Sequence, residues 1–140
     1  IMAGAFRESY FPAEWAAIKD WFGTIAASFS PDLVFTHFRD DRHQDHRVVS
    51  DLTWNAFRNH TILEYEIPKY DGDLGRPNLY VPLSEEIARK KTAILMGHFQ
   101  TQQSKHWFSE DLFLGLMRVR GMEAATRYAE AFHSRKIVLA

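Results

Sequence analysis

The stretch that decides the reading is "SPDLVFTHFRDDRHQDHRVVSDLTWNAF", residues 30–57. "SPD" breaks whatever precedes it. "LVFTH" is a short, largely apolar run, the pattern of a strand in a parallel sheet covered by helices. It stops at a polar cluster holding His37, His43, Asp45 and His46. From Asp45 onward Val49, Leu52 and Ala56 recur at helical spacing, flanked by Val48 and Phe57. Asp45 is placed to cap that helix by accepting a backbone N–H. In open α/β sheets, ligands sit beyond the carboxyl ends of strands, and the cluster stands there.

Working outward, "PAEWAAIKDWFGTIAASF" (12–29) carries Trp15, Ile18, Trp21, Phe22, Ile25 and Phe29 on one helical face. Pro12 suits its first turn. "TILEYEI" (61–67) is a second strand. "PKYDGDLGRPN" (68–78) is a loop punctuated by Gly and Pro. Ser84 with Glu85 and Glu86 starts a helix carrying Ile87, Ile94 and Leu95. Ser109 with Glu110 and Asp111 starts another, with Phe113, Leu116 and Met117 inward. "YAEAFHSRKIVL" (128–139) ends the chain partly as a strand. The predicted order is helix, strand, helix, strand, helix, helix, strand. That is an α/β fold, Rossmann-like, with a parallel sheet and right-handed crossovers.

The 140 residues suffice for a single domain, spanning 1–140, with its own core. A net charge of −1 gives no basic surface for nucleic acid. The absence of cysteine removes disulfides, thiolate metal sites and a cysteine nucleophile. It fits a reducing compartment. No apolar run approaches the ~20 residues of a membrane helix, and the start lacks the pattern of a signal peptide. A cytoplasmic location is the expectation.

Neutral imidazole is a common zinc ligand. His43 and His46, three apart, can face one site from a first helical turn. A carboxylate such as Asp45 can fix a histidine's tautomer. By spacing alone a second reading stands equally: a polar helix start with local hydrogen bonds. A metal-binding module using His37, His43 and His46 is a third reading. For His37 alone, a strand-end histidine bonded to backbone is the simpler account. The H-x-H-x-D-H pattern of metallo-β-lactamase-like hydrolases does not fit, because position 41 is Asp and "RVV" replaces the usual glycines.

The stretch 30–57 resembles the second metal motif of the LmbE-like, or PIG-L-type, zinc-dependent de-N-acetylases. There a strand P-D-x-V-x-T-H leads into H-P-D-H. "ILEYEIPKYDG", "HFQTQ" and "RGMEAATRYAEAF" agree with later parts of that family, so the resemblance runs from Phe6 onward. Gln44 stands where the family has proline. The resemblance implies a Zn2+-dependent hydrolase that removes an N-acetyl group from an amino sugar or glycoconjugate. It implies His46 as metal ligand, His43 as the group that stabilises the tetrahedral oxyanion, and Asp45 as the partner that orients His43. Substrate contacts are expected from Arg47, Tyr70, Asp71, His98 and Gln102. For Tyr70 and Asp71 a plain turn competes with this reading, and for His98 a helix-end histidine does.

The family's first motif, A-H-P-D-D-E, supplies the remaining ligands and the general base, and nothing in residues 1–29 resembles it. The expectation is therefore the C-terminal part of such a domain, lacking its first strand–helix units and inactive alone. Homo-oligomerisation, or association with a missing half, would cover the exposed edge. The alternative is a non-catalytic fragment or degenerate member acting as a binding or assembly module.

Overall fold

The computed structural model describes residues 1–137. A 3-10 turn (Phe11–Glu14) leads into α1 (Trp15–Ser28), followed by β1 (Leu33–His37), α2 (Gln44–Ala56) and β2 (Thr61–Tyr65). Then come β3 (Leu79–Leu83), α3 (Glu85–His98), a 3-10 turn (Gln100–Gln102), α4 (Glu110–Glu123) and β4 (Tyr128–His133). The fold is mixed α/β, with strand order β1-β2-β4-β3. Of the "YAEAFHSRKIVL" segment, Val138 and Leu139 lie outside the described residues. The chain divides into two compact units: residues 1–66 with those from His133 onward, and Ile67–Phe132.

In the first unit β1 and β2 pair in parallel, from Leu33 opposite Thr61 to His37 opposite Tyr65. The connection between them is α2, as a parallel pair requires. Ile18 and Phe22 of α1, Val48 and Leu52 of α2, Phe57 and Ile62 form the buried cluster. Each such side chain contributes roughly 1.5–3 kcal/mol when fully buried. Trp15 and Phe29, expected on the buried face of α1, are exposed. They sit at its two ends, Trp15 as the first residue of α1 and Phe29 as its C-cap. Phe11 packs against this core and meets the Phe6 ring edge-on at 6.2 Å.

Polar groups are matched inside this unit. Thr53 donates its hydroxyl to Val49 O at 2.7 Å. Its single proton is thereby used, so Thr36 is the donor in the 2.9 Å bond between the two hydroxyls. That bond fastens β1 to α2. Glu64 of β2 is fully buried and accepts from Trp54 Nε1 at 2.6 Å, Arg135 Nε at 2.8 Å and Arg39 N at 3.1 Å. A buried carboxylate needs this degree of pairing, since losing one partner leaves charge uncompensated.

In the second unit β3 and β4 are antiparallel, from Leu79 opposite Phe132 to Leu83 opposite Tyr128. The parallel pair expected of the α/β fold is β1–β2; the antiparallel pair adds a strand that the sequence reading did not include. β3 itself is absent from the predicted order, because Pro82 within "LYVPL" removes a ladder donor. Proline is tolerated on an edge strand, and β3 lies at the end of the strand order. Ser84 and Ser109 cap α3 and α4, accepting from Ile87 N at 3.2 Å and Leu112 N at 3.3 Å. α3 buries Ala88 and Thr92, while Ile87 and Ile94 are exposed. In α4 Phe113 and Met117 are buried as expected, and Leu116 is half-buried.

α4 ends in a left-handed residue, Ala125 (φ 54°), with Thr126 N bonded back to Gly121 O at 2.8 Å. That is the helix stop usually built on glycine. The chain then returns across Gly121, where an added Cβ would lie 2.5 Å from Arg127 O. This close approach is the physical content of the "RG" in the C-terminal motif.

Candidate metal centre at the carboxyl end of β1

β1 ends at His37, and the ladder runs one bond further, from Phe38 N to Tyr65 O at 3.1 Å. The loop then turns back on itself: Arg39 N reaches Glu64, and Asp41 N donates to Phe38 O at 3.1 Å. Asp41 is 3% exposed. Its Oδ1 accepts His43 N at 2.8 Å, and its Oδ2 lies 2.9 Å from His46 Nδ1. An aspartate bonding the N–H two residues on is the Asx turn that favours this residue before a helix. His43 is the N-cap of α2, its Nδ1 accepting Asp45 N at 3.3 Å. Histidine thus takes the cap expected of Asp45.

These constraints bring His37, Asp41 and His46 together. One ligand atom from each lies within 4.8 Å of the others. The rings of His37 and His46 stack at 3.9 Å, 5° from parallel, and His43 lies 4.5 Å from His46 by ring centroids. Two donors on one zinc are at most about 4.2 Å apart, given bonds near 2.1 Å. Small ring movements therefore bring the group within reach of one ion, and two imidazoles with a carboxylate are a fitting donor set. Tyr65, opposite His37, places its hydroxyl 3.3 Å from His37 Nε2. Burial, with the negative charge of Asp41, raises the Tyr65 phenol above its ordinary value and keeps it protonated.

His43 and His46 stand where the sequence placed them, beyond the carboxyl end of β1 at the start of α2. Arg47 joins them, its Nη1 donating to Asp41 O at 3.2 Å and to Arg42 O. Asp45 is buried, but its carboxylate turns elsewhere. Oδ2 accepts Ser9 N at 2.5 Å and Oδ1 accepts Phe11 N at 3.1 Å. Gln44, in the family's proline position, donates to Ser9 O at 3.2 Å. Asp45 meets the His43 ring through its own N–H, and its carboxylate holds the N-terminal segment.

Tyr70, Asp71, His98 and Gln102 belong to the second unit. Tyr70 is exposed, edge-on to Trp107 at 6.4 Å. Asp71 lies 3.6 Å from Lys69, which also binds Asp73 at 2.5 Å. His98 is the last residue of α3, and Gln102 closes a 3-10 turn and donates to Thr101 Oγ1.

Asp41, Tyr65 and Glu64 were not legible as site residues. Asp40 and Asp41 are adjacent and equivalent in sequence, and only the loop's turn selects Asp41. His37 is legible as a candidate beside its backbone-bonded reading; its place in the group follows from the stacked position of His46, nine residues on.

No protein-family model matches the chain. Solved structures do share its fold. The conserved protein TT1542 from Thermus thermophilus matches at TM-score 0.62 and 21% identity, over 97% of this chain and 65% of that one. The N,N'-diacetylchitobiose deacetylase from Pyrococcus horikoshii, solved with its inhibitor MPG, matches at 0.59 and 18%, over 92% and 54%. GalB, the 4-carboxy-2-hydroxymuconate hydratase from Pseudomonas putida, matches at 0.62 and 15%, over 98% and 62%. The chain spans between 54% and 65% of the length of these three. At these identities the likeness is one of fold: the chain has the α/β fold that a deacetylase and a hydratase also use.

Proposed function

We propose that the chain is the C-terminal portion of a metal-dependent amide hydrolase of the LmbE-like, PIG-L-type kind, acting on an N-acetylated amino sugar or glycoconjugate. The observation that carries this reading is the His37, Asp41 and His46 group at the carboxyl end of β1. The likeness to a chitobiose deacetylase supports the substrate class. Zinc is the proposed ion, held by His46 with His37 and Asp41. When bound, it would supply Lewis acidity toward water and the amide carbonyl.

The chain's own residues take defined parts. Asp41 Oδ2 stands 2.9 Å from His46 Nδ1, so with that ring nitrogen unprotonated both atoms could face one ion. His43 accepts at Nδ1 from Asp45 N, so its neutral ring carries the proton on Nε2. That N–H can donate to the oxyanion that forms as the carbonyl becomes tetrahedral. Arg47 braces the loop through two backbone carbonyls. Tyr70, Asp71, His98 and Gln102 are proposed as substrate contacts. Three candidate ligands lie in this chain where the resemblance implied one.

A zinc titration by calorimetry on the chain and its variants tests the reading. The expected result is one-to-one binding, weakened at least 100-fold by His46→Ala, a loss of roughly 2.7 kcal/mol, and little changed by His43→Ala. In the complete enzyme His43→Ala should lower turnover by roughly 10²–10³-fold. Equal zinc loss in both variants would merge the two roles. No zinc binding at all would favour the second reading, a non-catalytic binding or assembly module. Exposed Leu33 and Phe35 on β1, an end strand of the sheet, support association in either case. A monodisperse monomer in light scattering would count against it.

A further inference from the structure

Glu64 of β2 is fully buried, and its two carboxylate oxygens serve different elements. Oε1 accepts from Trp54 Nε1 at 2.6 Å and from Arg135 Nε at 2.8 Å, while Oε2 accepts from Arg39 N at 3.1 Å. Trp54 belongs to α2, Arg135 follows β4, and Arg39 lies in the loop that carries Asp41. Glu64 pairs with Thr36 across the ladder, and Thr36 is bonded to Thr53, the residue before Trp54. Directly opposed residues of two strands share a face. That face of β1 and β2 therefore meets α2 through adjoining polar contacts.

The three candidate ligands ride on three carriers: His37 on β1, Asp41 on the loop and His46 on α2. Glu64 fixes each carrier, β1 through the ladder, the loop through Arg39 N and α2 through Trp54. A buried ion pair is often no more stabilising than well-packed apolar side chains of the same volume. What this one adds is an acceptor aimed at a loop N–H. Arg135 compensates the buried charge, and its guanidinium lies over the Trp54 ring at 4.2 Å.

We propose that Glu64 and Arg135 are positioning residues for the candidate metal group. Arg135, beyond the end of β4, keeps the Glu64 carboxylate paired and aimed. Glu64 then holds loop and helix so that Asp41 and His46 face His37. The link to a metal rests on the hydrolase reading, whereas the hold on the loop is testable without metal.

The experiment compares the full chain with point variants, first in EDTA and then with zinc. Glutamine has a single acceptor oxygen, so Glu64→Gln serves either Arg39 N or the Trp54 and Arg135 donors. In EDTA, backbone hydrogen exchange at Arg39, Asp41 and His43 should quicken roughly tenfold or more in Glu64→Gln and Arg135→Gln, as expected for a lost bond to a charged group. Arg135→Lys keeps the charge and should restore slow exchange. Lys136→Gln removes a neighbouring bond, from Lys136 Nζ to Arg58 O at 2.6 Å, and should change nothing in the loop. Zinc should bind roughly tenfold more weakly to Glu64→Gln and Arg135→Gln, the low end for a group behind the ligands, although no ligand is removed. Cobalt(II) in place of zinc should give altered ligand-field bands in those two variants and wild-type bands in Arg135→Lys. Unchanged loop exchange in Arg135→Gln would overturn the proposal, whatever zinc does. So would faster exchange with unchanged zinc affinity, because the loop would then not position the group. If Glu64→Gln fails to fold, Arg135→Gln decides alone. No zinc binding by the wild type, with the exchange pattern as expected, sinks the hydrolase reading and leaves the hold on the loop standing.

Discussion

The two units bury apolar surface in different ways. In the first, Ile18, Phe22, Val48, Leu52, Phe57 and Ile62 come from two helices, the C-cap of the second and a strand, and interlock. In the second, the cluster is Ala88, Met117 and Tyr128, while Ile87, Ile94, Val119 and Met122 remain exposed on α3 and α4. Polar groups differ likewise. The first unit hides Asp41, Asp45 and Glu64 and uses them to fix backbone N–H groups of a loop and of the N-terminal segment. The second pairs its charges with each other: Lys69 with Asp73, Lys91 with Glu130, Arg120 with Glu123. Arg120, donating to Glu123, holds that carboxyl below the ordinary range. The lesson is that a tight apolar platform permits buried carboxylates to shape a loop, and the candidate metal group lies on that platform.

The contrast is sharpest for large-to-small substitutions. Leu52→Ala should cost about 3–5 kcal/mol and Met117→Ala nearer 2, read by urea unfolding. Equal costs would show the second core to be as tightly packed as the first. Gly121→Ala tests the second unit's own constraint. Its Cβ would meet backbone atoms of Arg127 and Tyr128, and a loss of roughly 1–3 kcal/mol is expected. Gly23→Ala in α1 meets nothing within 4 Å and should instead raise stability by about 0.5–1 kcal/mol. A destabilising Gly23→Ala would refute the account of α1.

Capping is expected to matter where packing is thin. Ser84→Ala and Ser109→Ala should each cost about 1 kcal/mol, with local hydrogen exchange rising in the first turn of α3 or α4. No change in either would mean that those helices are held by packing alone. The smallest effect concerns pH. Tyr65 has its folded pKa raised by burial and then by Asp41. Its contribution is therefore full below the ordinary phenol value near ~10 and is lost as pH rises through the higher folded value. Tyr65→Phe should flatten the alkaline fall in stability. An unchanged alkaline limb would show that another group controls it.

What the sequence determined by itself is local. Spacings of three and four residues, "LVFTH" before a polar cluster, and Ser84 and Ser109 before acidic first turns all act within one or two turns of chain. The elements they predict stand within a few residues of their predicted bounds. β3 escaped because Pro82 argues against a strand unless its position at a sheet edge is known. Tertiary structure alone decided the partners. Asp45 reaches Ser9 and Phe11, 36 and 34 residues away, and Glu64 reaches Arg39 at 25 and Arg135 at 71. Spacing carries no record of such distances, because they are set by which faces pack. Burial then forces each hidden carboxylate to take whatever donors the fold brings near. The histidines and aspartates were visible as a cluster; that Asp41 turns to His46 and Asp45 turns away is a property of the folded loop.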